Sequence, residues 1–293
     1  MRLSVIISTY NAPQWLEKVI WGYAAQSHQD FELLIADDGS TEETAVCIQQ
    51  LQRAVGLAIE HIWHEHNGFR KCTILNKAIV AAANEYLVFA DGDCVPRWDF
   101  LATHAALAER GYLLSGGVLR LPMALSERIT EQDILAHRVT DPAWLLANGL
   151  GNNKRLGWLT RGPRTAAILD ALTPTKATWN GGNASGWKTD LLRVNGYDER
   201  LQYGGLDREL GERLMNAGIR GKQIRHRAIA VHLDHARPYM QQETWRHNDA
   251  IRRETRRSRA TWTPYGIESP LRVLPLEDLQ PTGGELPRLR AAA

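Results

Sequence analysis

Glu85-Tyr86-Leu87-Val88-Phe89-Ala90-Asp91-Gly92-Asp93 is an apolar, strand-forming run that ends in two carboxylates separated by one glycine. A strand puts alternate residues on one side, and glycine lets a ligand approach the backbone. The pair therefore offers hard oxygen donors of the kind that hold Mg²⁺ or Mn²⁺ against a diphosphate. An acidic turn closing a strand explains the tripeptide equally well. Its neighbours tip the balance, because Phe31 to Ala36 is a second apolar run that ends in Asp37-Asp38-Gly39-Ser40, and Leu3 to Thr9 is a third that ends in Ser8-Thr9-Tyr10-Asn11. Polar residues at three successive strand ends, on one edge of one sheet, are harder to dismiss as turns.

Helical patterns separate the strands. Pro13 to Gln26 carries Trp15, Leu16, Val19, Ile20 and Tyr23 at helical spacing, with Asn11 expected to cap it. Thr41 to Ala54 follows Ser40 and Glu43, which fit a capping box, and Cys72 to Ala83 lies between the strands Ala58 to Trp63 and Tyr86 to Ala90. The alternation implies an α/β fold with a mostly parallel sheet flanked by helices, whose ligands sit beyond the strands' carboxyl ends. No Gly-x-Gly-x-x-Gly follows the first strand and no Gly-x-x-x-x-Gly-Lys-Ser/Thr occurs, which argues against dinucleotide and P-loop sites.

Length and composition bound the rest. The chain has 293 residues, 44% hydrophobic and 23% charged, enough for one large α/β domain with a sizeable core. A formal charge of +2 is too balanced for a dedicated nucleic-acid binder. Cys47, Cys72 and Cys94 are odd in number and widely spaced, so they suggest a reducing compartment rather than a disulfide framework. With no leader-like segment and no run of about 18 apolar residues, the expected location is cytoplasmic.

Periodicity weakens from Pro122 to Thr178, a stretch that reads as a lid or an acceptor-side insertion. It returns with Leu206, Leu210, Leu214 and Ala217 on one helical face, closed by Gly218. From Gln241 the chain is a basic helix carrying Arg246, Arg252, Arg253, Arg256, Arg257 and Arg259, which reads either as a solvated face or as a contact with anionic membrane. Prolines 264, 270, 275, 281 and 287 then mark an extended tail. His61, His64 and His66 look ligand-like but read better as a polar edge of the loop leading to Arg70. Trp179, beside a Gly-Gly turn, is the ring expected beneath an acceptor sugar, since its flat face matches an apolar sugar face.

These residues also carry a family resemblance. Val5 to Asn11, Phe31 to Ser40, and Asn67-Gly-Phe-Arg-Lys71 through Asn76 to Asp93 resemble the nucleotide-sugar half of glycosyltransferase family 2. Trp179-Asn-Gly-Gly-Asn183, Val194 to Glu199 and Gly205-Leu-Asp207-Arg-Glu-Leu210 are similar to its acceptor half. The resemblance implies a GT-A fold over residues 1–240, with a nucleotide-sugar half at 1–120 and an acceptor-binding and catalytic half at 121–240. Residues 241–293 form a helical and extended appendage.

The activity it implies is metal-dependent, inverting transfer from a UDP-sugar to a glycan or lipid-linked acceptor of bacterial-type surface polysaccharide. A non-catalytic nucleotide-sugar or glycan-binding module on the same fold is the alternative. By matching position, Thr9, Tyr10, Asn11, Asp38, Arg70, Asp91 and Gly92 would bind the donor. Asp93, Asp91 and His232 would hold Mn²⁺ or Mg²⁺, with His235 competing for the histidine role. Asp207 would be the base, opening a helix whose dipole favours its charge. Trp179, Gly182, Asn183 and Glu209 would face the acceptor. Glu209 enters because Leu206 stands where the family usually has a second acid, although two residues along a helix turns it to another face.

Overall fold

The computed structural model describes residues 1–151, 153–236 and 242–268. In chain order the first half contains β1 (Leu3–Thr9), α1 (Pro13–Ala24), β2 (Phe31–Asp37), α2 (Glu42–Val55), β3 (Ile59–Trp63), α3 (Lys71–Ala81), β4 (Tyr86–Asp91), β5 (Cys94–Pro96), α4 (Phe100–Leu107), β6 (Tyr112–Ser115) and β7 (Gly117–Arg120). Short helices follow: α5 (Met123–Arg128), α6 (Glu131–Leu135), α7 (Pro142–Ala147) and α8 (Pro163–Leu172). The second half closes with β8 (Ala184–Trp187), α9 (Lys188–Arg193), α10 (Leu206–Asn216), β9 (Arg220–Gln223), β10 (Ile229–His232) and α11 (Gln242–Ser258).

The main sheet has seven strands in the order β3-β2-β1-β4-β8-β6-β9, and a small second sheet runs β5-β10-β7. Strands β3, β2, β1 and β4 are mutually parallel, while β8 is antiparallel to both β4 and β6. Both faces of the parallel part are covered, which is why its strands read as unbroken apolar runs. Val5, Ile7, Leu33 and Ile35 pack with α1 and α2, whereas Ile6, Leu34, Leu87 and Phe89 pack with α3, α9 and α10. Register then decides what the strand ends deliver. Ser8 pairs with Asp91 and Thr9 with Asp37, so three loops open at one level of the sheet.

Two caps differ from expectation. Asn11 does not cap α1; in a left-handed backbone at φ 44° it accepts from Thr41 N–H at 2.9 Å and ties the first loop to the start of α2. Ser40 makes no capping box either, because its Oγ accepts from Asn11 N–H at 2.8 Å. Both polar side chains are used to join two strand ends instead of closing their own helices. Nor is the segment from Pro122 a free lid, since Leu125, Ile129, Ile134, Val139 and Leu145 are buried in the core on the α1 face.

The basic helix α11 lies against α10. Asn248 Nδ2 donates to the carbonyls of Gln202, Tyr203 and Gly204, and Arg252 pairs with Glu212 at 2.7 Å. Arg253 pairs with Asp249 and Arg257 with Glu254, so much of the expected cationic stripe is neutralised locally. Thr263 and Glu268 reach the side chain of Asn195, while the tail prolines from Pro270 onward lie outside the described residues. Among the described residues no helix is long and apolar enough to cross a membrane.

Between α10 and α11 a complete ion pair is buried. Glu209 and Arg213, each 1% exposed, meet at 2.7 Å, and Thr255 Oγ1 also donates to Glu209. Removing one partner leaves a charge with no water around it, which costs about 3–5 kcal/mol. Arg213→Leu should lose about that much in urea unfolding, and the double variant Glu209→Leu/Arg213→Leu should recover most of it.

Candidate active site

The site is assembled from strand ends. Asp38 leaves β2 with Oδ1 2.8 Å from His64 Nε2 and Oδ2 accepting from Arg70 N–H at 2.9 Å. Its neighbour Asp37 is a framework residue, accepting from Ser40 N–H and facing His61 at 2.9 Å. Tyr10 is exposed and stacks on His66, ring centroids 5.0 Å apart. The three histidines thus form the expected polar edge, and two of them contact Asp38 and Tyr10. Thr9 Oγ1 and Arg70 Nε are buried with no hydrogen-bond partner among the described residues, although buried polar atoms are normally paired. Gly92 sits directly against Thr9, where a Cβ would come within 3.3 Å of Oγ1.

Asp91 closes β4. Its Oδ1 accepts from Ser8 Oγ at 2.9 Å and from Lys71 Nζ at 2.6 Å. Lys71 was not among the sequence candidates, yet a signal existed: a lysine in the first turn of a helix faces the positive end of the dipole and needs another reason to be there. The reason is carboxylates. Burial works against the ammonium, but Asp91, Asp207 and Asp93 outweigh it and hold the Lys71 pKa above its ordinary value.

Asp93 turns toward the small sheet. There β10 runs antiparallel to β5 with His232 opposite Cys94, and Leu233 N–H donates to Asp93 O at 2.8 Å. His235 Nε2 consequently lies 2.8 Å from Asp93 Oδ2 and His232 Nε2 3.5 Å from it, the two rings stacked. Both histidines therefore reach the carboxylate. Burial alone would raise Asp93, but the hydrogen bond from His235 and the charge of His232 hold it below the usual carboxylate range. Asp93, His232 and His235 present ligand atoms within 4.8 Å of one another, and so do Asp91, Asp93 and Cys94. Carboxylate and imidazole together suit Mn²⁺ better than Mg²⁺, which prefers oxygen and retained water.

Asp207 stands in the first turn of α10, across Gly181-Gly182 from Asp91. A Cβ on Gly181 would lie 2.6 Å from Asp207 Oδ1, and one on Gly182 would lie 3.1 Å from Asp91 Oδ2. A side chain at either position would crowd the carboxylate beside it. Gly181 N–H donates to Asp207, and Tyr197 Oη donates at 3.5 Å. Burial nevertheless dominates, and against the pull of Lys71 it pushes the Asp207 pKa up to about 6.

Three acceptor candidates belong to the framework. Trp179 is 1% exposed, its Nε1 donating to Tyr197 Oη at 2.8 Å and its ring edge-on to Phe89, so it cannot lie under a sugar. Asn183 is fully buried, donating to the carbonyls of Gly117 and Ala228 and bonded to His104, whose pKa burial pushes down to about 4. Glu209 is held by Arg213 and Thr255, on the helix face away from Asp207. Gly182 alone of the four lines the site.

Residues 4–142 match the sequence model described as "Glycosyl transferase family 2", and residues 173–236 match "N-terminal domain of galactosyltransferase". The first half of the chain thus carries the glycosyltransferase family 2 sequence pattern. Validoxylamine A glucosyltransferase of Streptomyces hygroscopicus subsp. jinggangensis is 29% identical over 74% of this chain and 52% of its own length. Chondroitin synthase of Escherichia coli is 25% identical over 78% of this chain and 34% of its own. The chain thus spans about half or less of the length of these relatives. A mannosyltransferase from Pyrobaculum calidifontis, solved in complex with GDP-Man and Mn²⁺, superposes with a TM-score of 0.56 at 19% identity, covering 88% of this chain and 62% of its own. The fold is GT-A.

A raised carboxyl pKa has a stability cost that can be measured. Unfolded, Asp207 titrates near about 3.9, so its contribution to stability is fully present below that pH and is lost as pH rises through about 6. Asn avoids the loss. Thermal melts should therefore show Asp207→Asn equal to the parent near pH 4 and a few degrees more stable near pH 7.5.

Proposed function

We propose that the chain is a metal-dependent inverting glycosyltransferase that moves a sugar from a nucleoside-diphosphate sugar to a hydroxyl of a glycan or lipid-linked acceptor. One observation carries the reading: Asp207, a carboxyl near pKa 6, faces the donor-side carboxylate Asp91 across two glycines. A base in that range is ionised at neutral pH yet still basic enough to take a proton in the transition state. The unpaired Thr9 Oγ1 and Arg70 Nε, beside Asp38, supply hydrogen-bonding capacity for the nucleoside end of a donor.

In the reaction, Asp207 accepts the acceptor hydroxyl's proton as its oxygen bonds to the anomeric carbon. The bond from that carbon to the diphosphate oxygen breaks on the opposite face, and the nucleoside diphosphate leaves. Glu209 is locked in its ion pair and Leu206 is apolar, so no second carboxylate stands next to Asp207 on α10 to act as a nucleophile. That favours one displacement with inversion. Asp93, His232 and His235, with Asp91 beside them, would hold Mn²⁺, which neutralises charge on the departing diphosphate when bound. Lys71 keeps a permanent cation at the same edge. UDP is the expected nucleotide and bacterial-type surface polysaccharide the expected product class, in keeping with a chondroitin synthase among the relatives.

Nucleotide release from a panel of UDP- and GDP-sugars, with and without Mn²⁺, tests the reading. UDP release that requires both metal and acceptor is expected; tight donor binding without release under any acceptor would leave only a binding module. Asp207→Asn should keep donor and Mn²⁺ affinity while transfer falls by about 10² to 10⁴. In the parent the rate should rise with pH through about 6 as Asp207 ionises.

Asp93→Ala removes the carboxylate that both histidines face. Calorimetry with UDP should then give the same affinity with and without Mn²⁺, while Glu209→Gln leaves the metal dependence intact.

A further inference from the structure

The insertion between β7 and β8 has a charge pattern that the catalytic reading does not use. Residues 142–169 contain Lys154, Arg155, Arg161 and Arg164 and no Asp or Glu at all. Asp170 is the first acid after them, and it is buried, accepting from Arg227 at 2.7 Å and from His226 N–H. Its charge is therefore spent inward. The strand-end loop packed against this segment adds Arg225, which reaches Thr175 Oγ1.

Within the insertion, α8 presents an apolar stripe to solvent. Ala166 and Asp170 are its buried residues, while Ile168 is 59% exposed and Leu172 73%. Residues four apart share a helix face, so Arg164, Ile168 and Leu172 form one line, with a cation at one end and two large aliphatic side chains beyond it.

We propose that this face of α8 docks the protein on an anionic lipid bilayer. Ile168 and Leu172 enter the headgroup boundary, and Arg164 on the same face, with Lys154 elsewhere in the insertion, attracts acidic headgroups. The combination selects the partner. A second copy of the chain would bring like charges together, and a soluble polyanion would have no use for two exposed aliphatics. A lipid surface with acidic headgroups satisfies both. The face differs from the arginine stripe of α11, whose Arg252, Arg253 and Arg257 already meet carboxylates. Docking here is independent of the donor and of the base assignment.

Sedimentation of the full chain with vesicles tests it, using phosphatidylcholine alone and phosphatidylcholine mixed with phosphatidylglycerol. Pelleting should require the acidic lipid and weaken as salt rises. Arg164→Gln and Lys154→Gln should each reduce partitioning about fivefold. Ile168→Ser/Leu172→Ser should reduce it about tenfold or more at constant salt, with an unchanged melting temperature. Equal pelleting with neutral vesicles overturns the proposal. So does loss of binding in Arg253→Gln/Arg257→Gln with the α8 variants unaffected, which would place the contact on α11. A concentration-dependent dimer in light scattering that Leu172→Ser abolishes would assign the face to a second copy instead.

Discussion

Asp38, Asp91, Asp93 and Asp207 converge at one edge of the sheet, and the protein must hold them there against their mutual repulsion. Like charges this close raise one another's pKa or push the chain apart unless cations or hydrogen bonds intervene. Each carboxylate is answered differently. Lys71 and Ser8 satisfy Asp91, His235 and His232 face Asp93, and His64 with Arg70 N–H holds Asp38. Asp207 has the weakest support and carries the raised pKa. The least compensated carboxylate is the one proposed as the base, a common trade of stability against activity.

Keeping the four apart to the right degree depends on backbone that carries no side chains. Gly181-Gly182 lies between Asp207 and Asp91, and any Cβ there would displace one carboxylate or the other. The turn is anchored from beneath by Trp179 on Tyr197 and by Asn183 on two carbonyls and His104. These residues sit next to the glycine turn in sequence and underneath it in space. Their role is to make the glycine turn rigid.

The parallel half of the sheet was legible because its signals are local. Apolar runs, strand-end carboxylates and the Asp91-Gly92-Asp93 tripeptide need no knowledge of distant partners, and the structure put those residues where the strand register implies. The failures share a cause. Trp179, Asn183 and Glu209 were assigned to the acceptor from neighbouring motif residues, but burial depends on what packs from elsewhere: Phe89 on β4, His104 on α4 and Thr255 on α11. Asn11 and Ser40 look like caps for the same reason. Each had a plausible local use and a better long-range one.

By itself, the sequence determined the alternation of strands and helices and the carboxylates at the strand ends, because each follows from short-range periodicity or from adjacent residues; Asp207 became the base candidate only through the family resemblance. Tertiary structure alone decided that Lys71 reaches Asp91, that both His232 and His235 meet Asp93, and that Glu209 turns into a buried ion pair. The first two contacts join residues 20 and about 140 positions apart along the chain; Glu209 meets Arg213 four residues on in its own helix, and it is Thr255 of α11, 46 positions away, that closes over the pair. Which partner a charged side chain finds at such separations is set by sheet register and helix packing, and neither is written in the residues on either side of it.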